Sequence, residues 1–352
     1  MKIYKICIIL LLVFIFSVRA VNAQILNQTD EISVDDEDIV IDVNAPAKTF
    51  TDLNNDISVS TGELNINNDY VFSIQKDWDY AGGIQIIGKN LTINGNNHVI
   101  DASAQSRIFF VNSSNIVINN LAFKNSNNCS IFIANSSLTT NNVVFENNSA
   151  VDYGGAIHGE ETVYKSVNDK FINNYAKHGS AIYLADDSSF SLDNGNFKSD
   201  RMLYWGLIYL DKCNIDIANT TFENISSRYS PVLFAAWCEG KIRNSKFLNL
   251  YANVTAGAIA LKPVISEITV ENCDFINVSS EKNAGAIYAD IFGSSLEGRG
   301  QLIVNGSQFV NCSSEFGGAI VQLSGSLTVS NTDFINNTAK SDGGPFICLH
   351  LV

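Results

Sequence analysis

Apolar residues in this chain come in short alternating runs, each closed by asparagine or glycine. The pattern is cleanest from Leu327 to Asn336, where Leu327 and Val329 stand two apart and are followed by Asn331, Phe334 and Asn336. The same phrase recurs nine times, at Phe123, Phe145, Phe171, Phe197, Phe222, Phe247, Phe275, Phe309 and Phe334. Three residues before the phenylalanine stand Asn120, Asn142, Asn168, Asn194, Asn219, Asn244, Asn272, Gly306 and Asn331. Two residues after it comes asparagine in every copy except Ser199. Recurrence at a near-constant interval marks a structural repeat.

A second phrase follows each phenylalanine by about ten residues, intact as Gly154-Gly155-Ala156-Ile157 and Gly317-Gly318-Ala319-Ile320. Looser copies end at Ile182, Ile208, Leu233, Ile259, Ile287 and Phe346. Period-two alternation predicts strands, and the Asn and Gly between them predict turns. No stretch within the repeats sustains a helical period. A strand-only repeat of about 25 residues predicts one coil of a parallel β-helix, an all-β solenoid in which equivalent residues stack roughly 4.8 Å apart. The phenylalanines then form an internal stack and the asparagines form ladders in the turns. A leucine-rich-repeat solenoid has a similar period, but its leucine spacing is absent.

Ahead of the clear repeats, which run from 116 to 347, Tyr70 to Ile74, Ile84 to Ile87, Leu91 to Ile93 and Ile108 to Val111 are strand-like. The β-helix domain is therefore placed at 48–352, with about eleven coils. From Thr49 to Ser58, the residues Phe50, Leu53 and Ile57 share one helical face, with Thr51 or Asp52 as caps. A short amphipathic helix there would cover the raw apolar end of the solenoid. At the other end the pattern stops soon after Gly343-Gly344 with Phe346, Ile347, Leu349 and Leu351 still apolar, so a C-terminal cap is expected to be missing. An open edge of this kind invites self-association.

Residues 1–23 resemble a secretory signal peptide: Lys2 and Lys5 precede the apolar run Ile6 to Val18, and Val21-Asn22-Ala23 offers a cleavage site. The run is short for a membrane span of roughly 20 residues. Residues 24–47, with seven acids between Asp30 and Asp42, read as a disordered spacer. The whole chain carries 22 basic and 36 acidic residues, a formal net charge of −14. This excess of acid opposes nucleic-acid binding, which depends on neutralising phosphates.

The phrases FENNSA at Phe145, FINNYA at Phe171 and FINNTA at Phe334, each followed by a GGAI-like run, resemble the repeats of polymorphic outer membrane proteins. With Leu91-Thr92-Ile93-Asn94-Gly95 and His98 to Asp101, they are similar still more to the Asn/Thr-rich adhesin-like surface proteins of methanogenic archaea. The resemblance spans about residues 48 to 347. It implies a right-handed solenoid, in line with the general crossover rule. It also implies a secreted or cell-surface location and an adhesive or display role toward cell-surface glycans or proteins. Bacterial members add a C-terminal membrane barrel and archaeal ones further domains or anchors; this chain shows neither, which leaves a truncated, inert relative as a third reading.

Because some β-helices cleave polysaccharides, a lyase or glycoside hydrolase is the main alternative. No acid, base and cation converge in the sequence, so no catalytic residue is assigned. Glu161 and Asp186 share a repeat position, with Asp211 one residue off it, a row of acids of the kind that binds calcium; no other cofactor is expected. Just before the GGAI phrase, Tyr153, His178, Tyr204 and Tyr229 mark four consecutive coils, with Trp205 beside the third. Stacked rings of this kind form a platform for sugars. Cys213 and Cys238 both lie nine residues before a phenylalanine, hence one coil apart and within disulfide range. Cys129, Cys273, Cys312 and Cys348 share no such phase and are expected to be unpaired. Sequons at Asn90, Asn219, Asn253, Asn277 and Asn336 are abundant, but several fall within the proposed ladders.

Overall fold

The computed structural model describes residues 46–262, 267–289, 300–323, 325–341 and 344–348. The expected signal peptide and almost all of the expected acidic spacer lie outside the described residues. From Glu63 onward the chain winds into a parallel β-solenoid with three strands to a turn, and these form three long sheets. The first sheet has eleven strands, from Glu63–Asn65 to Ser326–Ser330. The second runs from Tyr70–Val71 to Asp333–Ile335, and the third from Ile84–Ile87 to Phe346–Cys348. Every pairing is between strands one coil apart, and the register is strict: Phe123, Phe145, Phe171 and Phe197 are direct neighbours in the second sheet.

This register builds the expected core stack. Phe171 and Phe197 lie 4.8 Å apart with planes 8° from parallel, and Phe247 and Phe275 lie 4.4 Å apart at 4°. The stack runs unbroken to Phe334, whose contact with Phe309 is 5.0 Å at 4°. Offset-stacked rings add about 0.5–1.5 kcal/mol per pair beyond the area they bury.

The asparagines of the repeat sit where the chain turns. Asn120, Asn142, Asn168 and Asn194 before the phenylalanine, and Asn125, Asn147, Asn173 and Asn224 after it, all have positive φ. Asparagine tolerates that left-handed conformation better than other residues with a β-carbon. Their side chains bond along the axis, as when Asn194 donates to Asn168 at 2.7 Å and Asn277 to Asn249 at 3.1 Å. Gly95, in an early turn, is required for room: a β-carbon there would meet the Asn120 carbonyl oxygen at 2.4 Å.

The N-terminal plug, α1, spans Phe50–Val59 and buries Phe50, Leu53 and Ile57. Its cap is Thr49, in a capping box with Asp52, two residues before the expected Thr51, which is drawn instead to Asp77. Asp77, fully buried, accepts from the backbone N–H groups of Phe50, Thr51 and Ser73 and so ties the helix to the first coil. Lys89 closes the far end by donating to the Ile57 carbonyl at 2.8 Å.

The cysteines turn out to belong to the corners. Ser114, Ser136, Thr162, Ser188, Cys213 and Cys238 each immediately precede a strand of the first sheet and form one buried or half-buried column. In this column the backbone N–H of one coil donates to the side chain of the next: Ser114 to Ser136 at 3.0 Å, Thr162 to Ser188 at 3.0 Å, and Cys213 to the Cys238 sulfur at 3.3 Å. The expected disulfide is not made. Both residues are free thiols, and each donates its S–H to the carbonyl two residues before it. Cys273 likewise shares a phase after all, lying in the column of Thr220, Ser245 and Ser307 two residues before the phenylalanines.

Candidate functional site

The outward positions of the first and second sheets are almost wholly polar or aliphatic, with Tyr251 as an aromatic exception. The third sheet differs. Its register aligns Phe110, Phe132, His158, Tyr183, Tyr209 and Phe234 as outward neighbours in successive coils. Centroids are 5.2 Å apart for Phe110 and Phe132, 5.5 Å for Tyr183 and Tyr209, and 4.6 Å for Tyr209 and Phe234. This column is one residue beyond the repeat isoleucine, which points inward, so alternation sends the ring outward. Reading the chain for core positions passes over it, although an aromatic or His after Ile157, Ile182, Ile208 and Leu233 was the available signal.

A second column runs beside the first in the adjoining turn. Tyr153 bridges to His178, and their rings stack at 5.1 Å. The main-chain bonds from Trp205 to the Lys177 carbonyl and from Tyr229 to the Tyr204 carbonyl continue it through Trp205 and Tyr229. Trp205 lies flat on Tyr229, at 4.1 Å and 13°. The ladder is therefore Tyr153, His178, Trp205, Tyr229, and Tyr204 stands outside it, meeting Tyr229 edge-on at 74°. The third coil has one residue fewer between its turn glycine and the isoleucine: Trp205-Gly206-Leu207-Ile208 against His178-Gly179-Ser180-Ala181-Ile182. Counting back from the isoleucine therefore lands on the wrong aromatic. Gly179 and Gly206 both have positive φ, which fixes the alignment at the glycine.

The two columns contact one another. Tyr153 meets Tyr183 at 4.4 Å and Trp205 meets Phe234 at 4.8 Å, so the rings form a double row. Burial holds the His158 and His178 imidazoles below their ordinary pKa, His158 despite its 3.2 Å contact with Glu160, so both are neutral at pH 7. Burial likewise pushes the Tyr209 hydroxyl up to about 12. Cations lie over several rings: Arg107 over Phe132, Lys177 and Arg228 over Tyr204, and Lys262 over Phe234. A surface of apolar ring faces with polar tips and a cationic fringe suits sugar rings.

The proposed calcium acids do not converge. Glu161 and Asp186 do occupy the same left-handed turn position, each following an outward residue of the third sheet, but the next member is Lys212, whose ammonium is 4.0 Å from Asp186. Asp211 belongs to the neighbouring column; burial raises its pKa, and its Oδ1 is buried without a hydrogen-bond partner. Among the described residues no group of three or more His, Cys, Asp or Glu is arranged to hold a metal.

The architecture and the ring-lined sheet define a β-solenoid with one aromatic face. Residues 142–160 match the family model of the Chlamydia polymorphic membrane protein repeat. That segment holds Phe145, the turn asparagines and the Gly154-Gly155-Ala156-Ile157 phrase. No curated protein matches the chain. Among the described residues no helix is long and apolar enough to cross a membrane.

Proposed function

We propose that this is a secreted or cell-surface, adhesin-like β-solenoid that binds glycans through the double row of rings on its third sheet and does not turn them over. The observation carrying this reading is the placement of Tyr153, His158, Tyr183, Trp205 and Tyr209 on an outer face, where the other two sheets present almost wholly polar or aliphatic side chains. Rings stacked on one another already stiffen the turn, but ten contiguous aromatic and imidazole side chains turned away from the core of an acidic, Asn-rich protein exceed that need. The surface location is supported by the polymorphic membrane protein repeat and by the leader-like opening of the sequence.

The test is a glycan array probed with residues 24–352 and with a Tyr183→Ala, Tyr209→Ala double variant. Glycan retention by the parent, lost in a variant that keeps its β-sheet circular dichroism, is the expected result. Equal retention by both proteins would overturn the assignment to this face.

A second reading, hydrolysis, draws on one observation. Glu160 pairs with Ala185, and Leu184 with Leu210, which places Asp211 in the column of Glu160 two coils along the strip. Two strand spacings are roughly 10 Å, and inverting glycosidases hold their carboxyls about 6.5–9.5 Å apart. Sustained release of reducing ends from bound polysaccharide, abolished by Asp211→Asn, would favour hydrolysis over simple binding.

A further inference from the structure

Tyr204, left out of the ring ladder, stands in a column of its own. One residue before the ladder in each coil, the main-chain pairing aligns Asp152, Lys177, Tyr204 and Arg228, and Asn253 follows them. The Lys177 ammonium lies 5.8 Å from the centre of the Tyr204 ring and the Arg228 guanidinium 5.3 Å from it, one reaching from the coil before and the other from the coil after. A ring attracts cations at such distances. Tyr204 therefore holds two positive charges on residues two coils apart, roughly 10 Å by the strand spacing.

Lys177 and Arg228 are both exposed. Lys124, Arg201, Lys212 and Arg243, also on the surface, each lie within 4.0 Å of a carboxylate. Among the described residues no carboxylate lies that close to Lys177 or Arg228, whose charged ends meet the Tyr204 and Tyr229 rings instead. The only acid in their column is Asp152, at its near end. Two cations left without a counter-charge stand out in a chain with 22 bases against 36 acids. They also border the ring face: Arg228 lies 5.4 Å over Tyr229, which stacks on Trp205.

We infer that the column of Lys177, Tyr204 and Arg228 binds an acidic polysaccharide carrying a carboxylate on every second sugar. The polymer lies along the solenoid axis against Trp205 and Tyr229, with successive carboxylates at Lys177 and Arg228. The inference rests on the glycan-binding reading and adds to it a substrate class and a direction. Two linked pyranose rings are about as long as two strand spacings, roughly 10 Å, which matches one carboxylate to each cation. The guanidinium can take a carboxylate through two parallel N–H donors, and the ammonium acts as a point charge. Attraction between exposed charges weakens as salt is raised.

Lys177→Gln, Arg228→Gln and the double variant test the site. Both positions are exposed, so circular dichroism should not change. Binding of a hyaluronan hexasaccharide, with one carboxylate to every two rings, and of cellohexaose, with none, is measured by calorimetry at low and high salt. The parent should bind the acidic chain more tightly and lose that preference at high salt. Each single substitution should weaken acidic binding about fivefold, the upper range for a solvated ion pair, and the double substitution about 25-fold. Cellohexaose binding should stay at the parent value throughout. A double variant no weaker than either single one would overturn the two-point contact. Parent-like acidic binding by all three variants, or equal affinity of the parent for both chains, would overturn the acidic class while leaving the ring face in place. Binding of neither chain by the parent would overturn the inference together with the glycan reading beneath it.

Discussion

The backbone N–H of Cys213 donates to the sulfur of Cys238, one coil further along, at 3.3 Å. Cys238 in turn donates to the Ala236 carbonyl at 3.2 Å. The thiols do here what Ser136 and Ser188 do in earlier coils. Cys238→Ser should therefore be tolerated, whereas Cys238→Ala strands the buried Cys213 N–H, the Ala236 carbonyl keeping its bond from the Lys212 N–H, and should cost about 1–3 kcal/mol. Urea midpoints of the two variants measure the difference; equal loss in both would show that volume, not hydrogen bonding, sets the position.

Thiol chemistry follows from the same burial. The Cys213 hydrogen bond to Cys238, together with burial, holds its thiol far above the ordinary value, and burial raises Cys129 and Cys273 to about 11 and Cys312 to about 12. The thiolate is the reactive form. Cys129, Cys213, Cys238, Cys273 and Cys312 should resist iodoacetamide at pH 8 in the folded protein and react fully in guanidinium, with no mass change on reduction. Rapid alkylation of the native chain would contradict the structure.

A buried carboxyl gives the fold an unusual pH dependence. Asp169 is fully buried beside Tyr164, accepting from Ser166 at 2.6 Å, from the Val143 N–H at 2.7 Å and from Thr140. Burial outweighs these bonds and raises its pKa to about 6. The folded state then holds a proton that the unfolded chain has released, so the contribution is complete below about pH 4 and is lost as pH rises through 6. The loss is on the order of 3 kcal/mol. Asp169→Asn should flatten the urea midpoint over this window relative to the parent. Parallel pH curves for the two proteins would refute the assignment.

Phe247 sits between Phe222 at 5.2 Å and Phe275 at 4.4 Å in the core stack. Phe247→Ala leaves a gap closed on both sides by rigid rings and should cost about 3–5 kcal/mol. Phe334→Ala, in a half-buried position, should cost clearly less. Thermal unfolding of the pair distinguishes them.

The helix plug depends on one acid. Asp77→Ala removes the acceptor for Phe50, Thr51 and Ser73 and should release α1 from the first coil. Hydrogen exchange should then rise across residues 50–59 while the coils around Phe247 keep their protection. Uniform protection would mean that burial of Phe50, Leu53 and Ile57 alone holds the helix.

Fold and core were legible because a solenoid repeats its requirements. Phe123 to Phe334 meet the same neighbours in each coil, and Asn142 or Asn168 meets the same left-handed turn, so the same residue type recurs at each position. The candidate face was legible only in part. Tyr153, His178 and Tyr229 were found by phase, but the shortened turn at Trp205-Gly206 shifted the count and brought in Tyr204. The sheet column through Tyr183 and Tyr209 was hidden in the period-two alternation that signals a strand, because alternation says which residues face inward and is silent on what the others meet.

The sequence by itself determined the coil length, the inward phenylalanines, the turn asparagines and the amphipathic helix, since each is a local pattern repeated in phase. Tertiary structure alone decided which columns lie side by side. It placed Lys177 and Arg228 over the one ring of Tyr204, set Lys212 beside Asp186 where a third acid was expected, and made Cys213 and Cys238 hydrogen-bonding partners. These are contacts between residues about one coil or more apart in the chain, and they depend on register across the sheet, which a one-residue deletion in a turn is enough to reset.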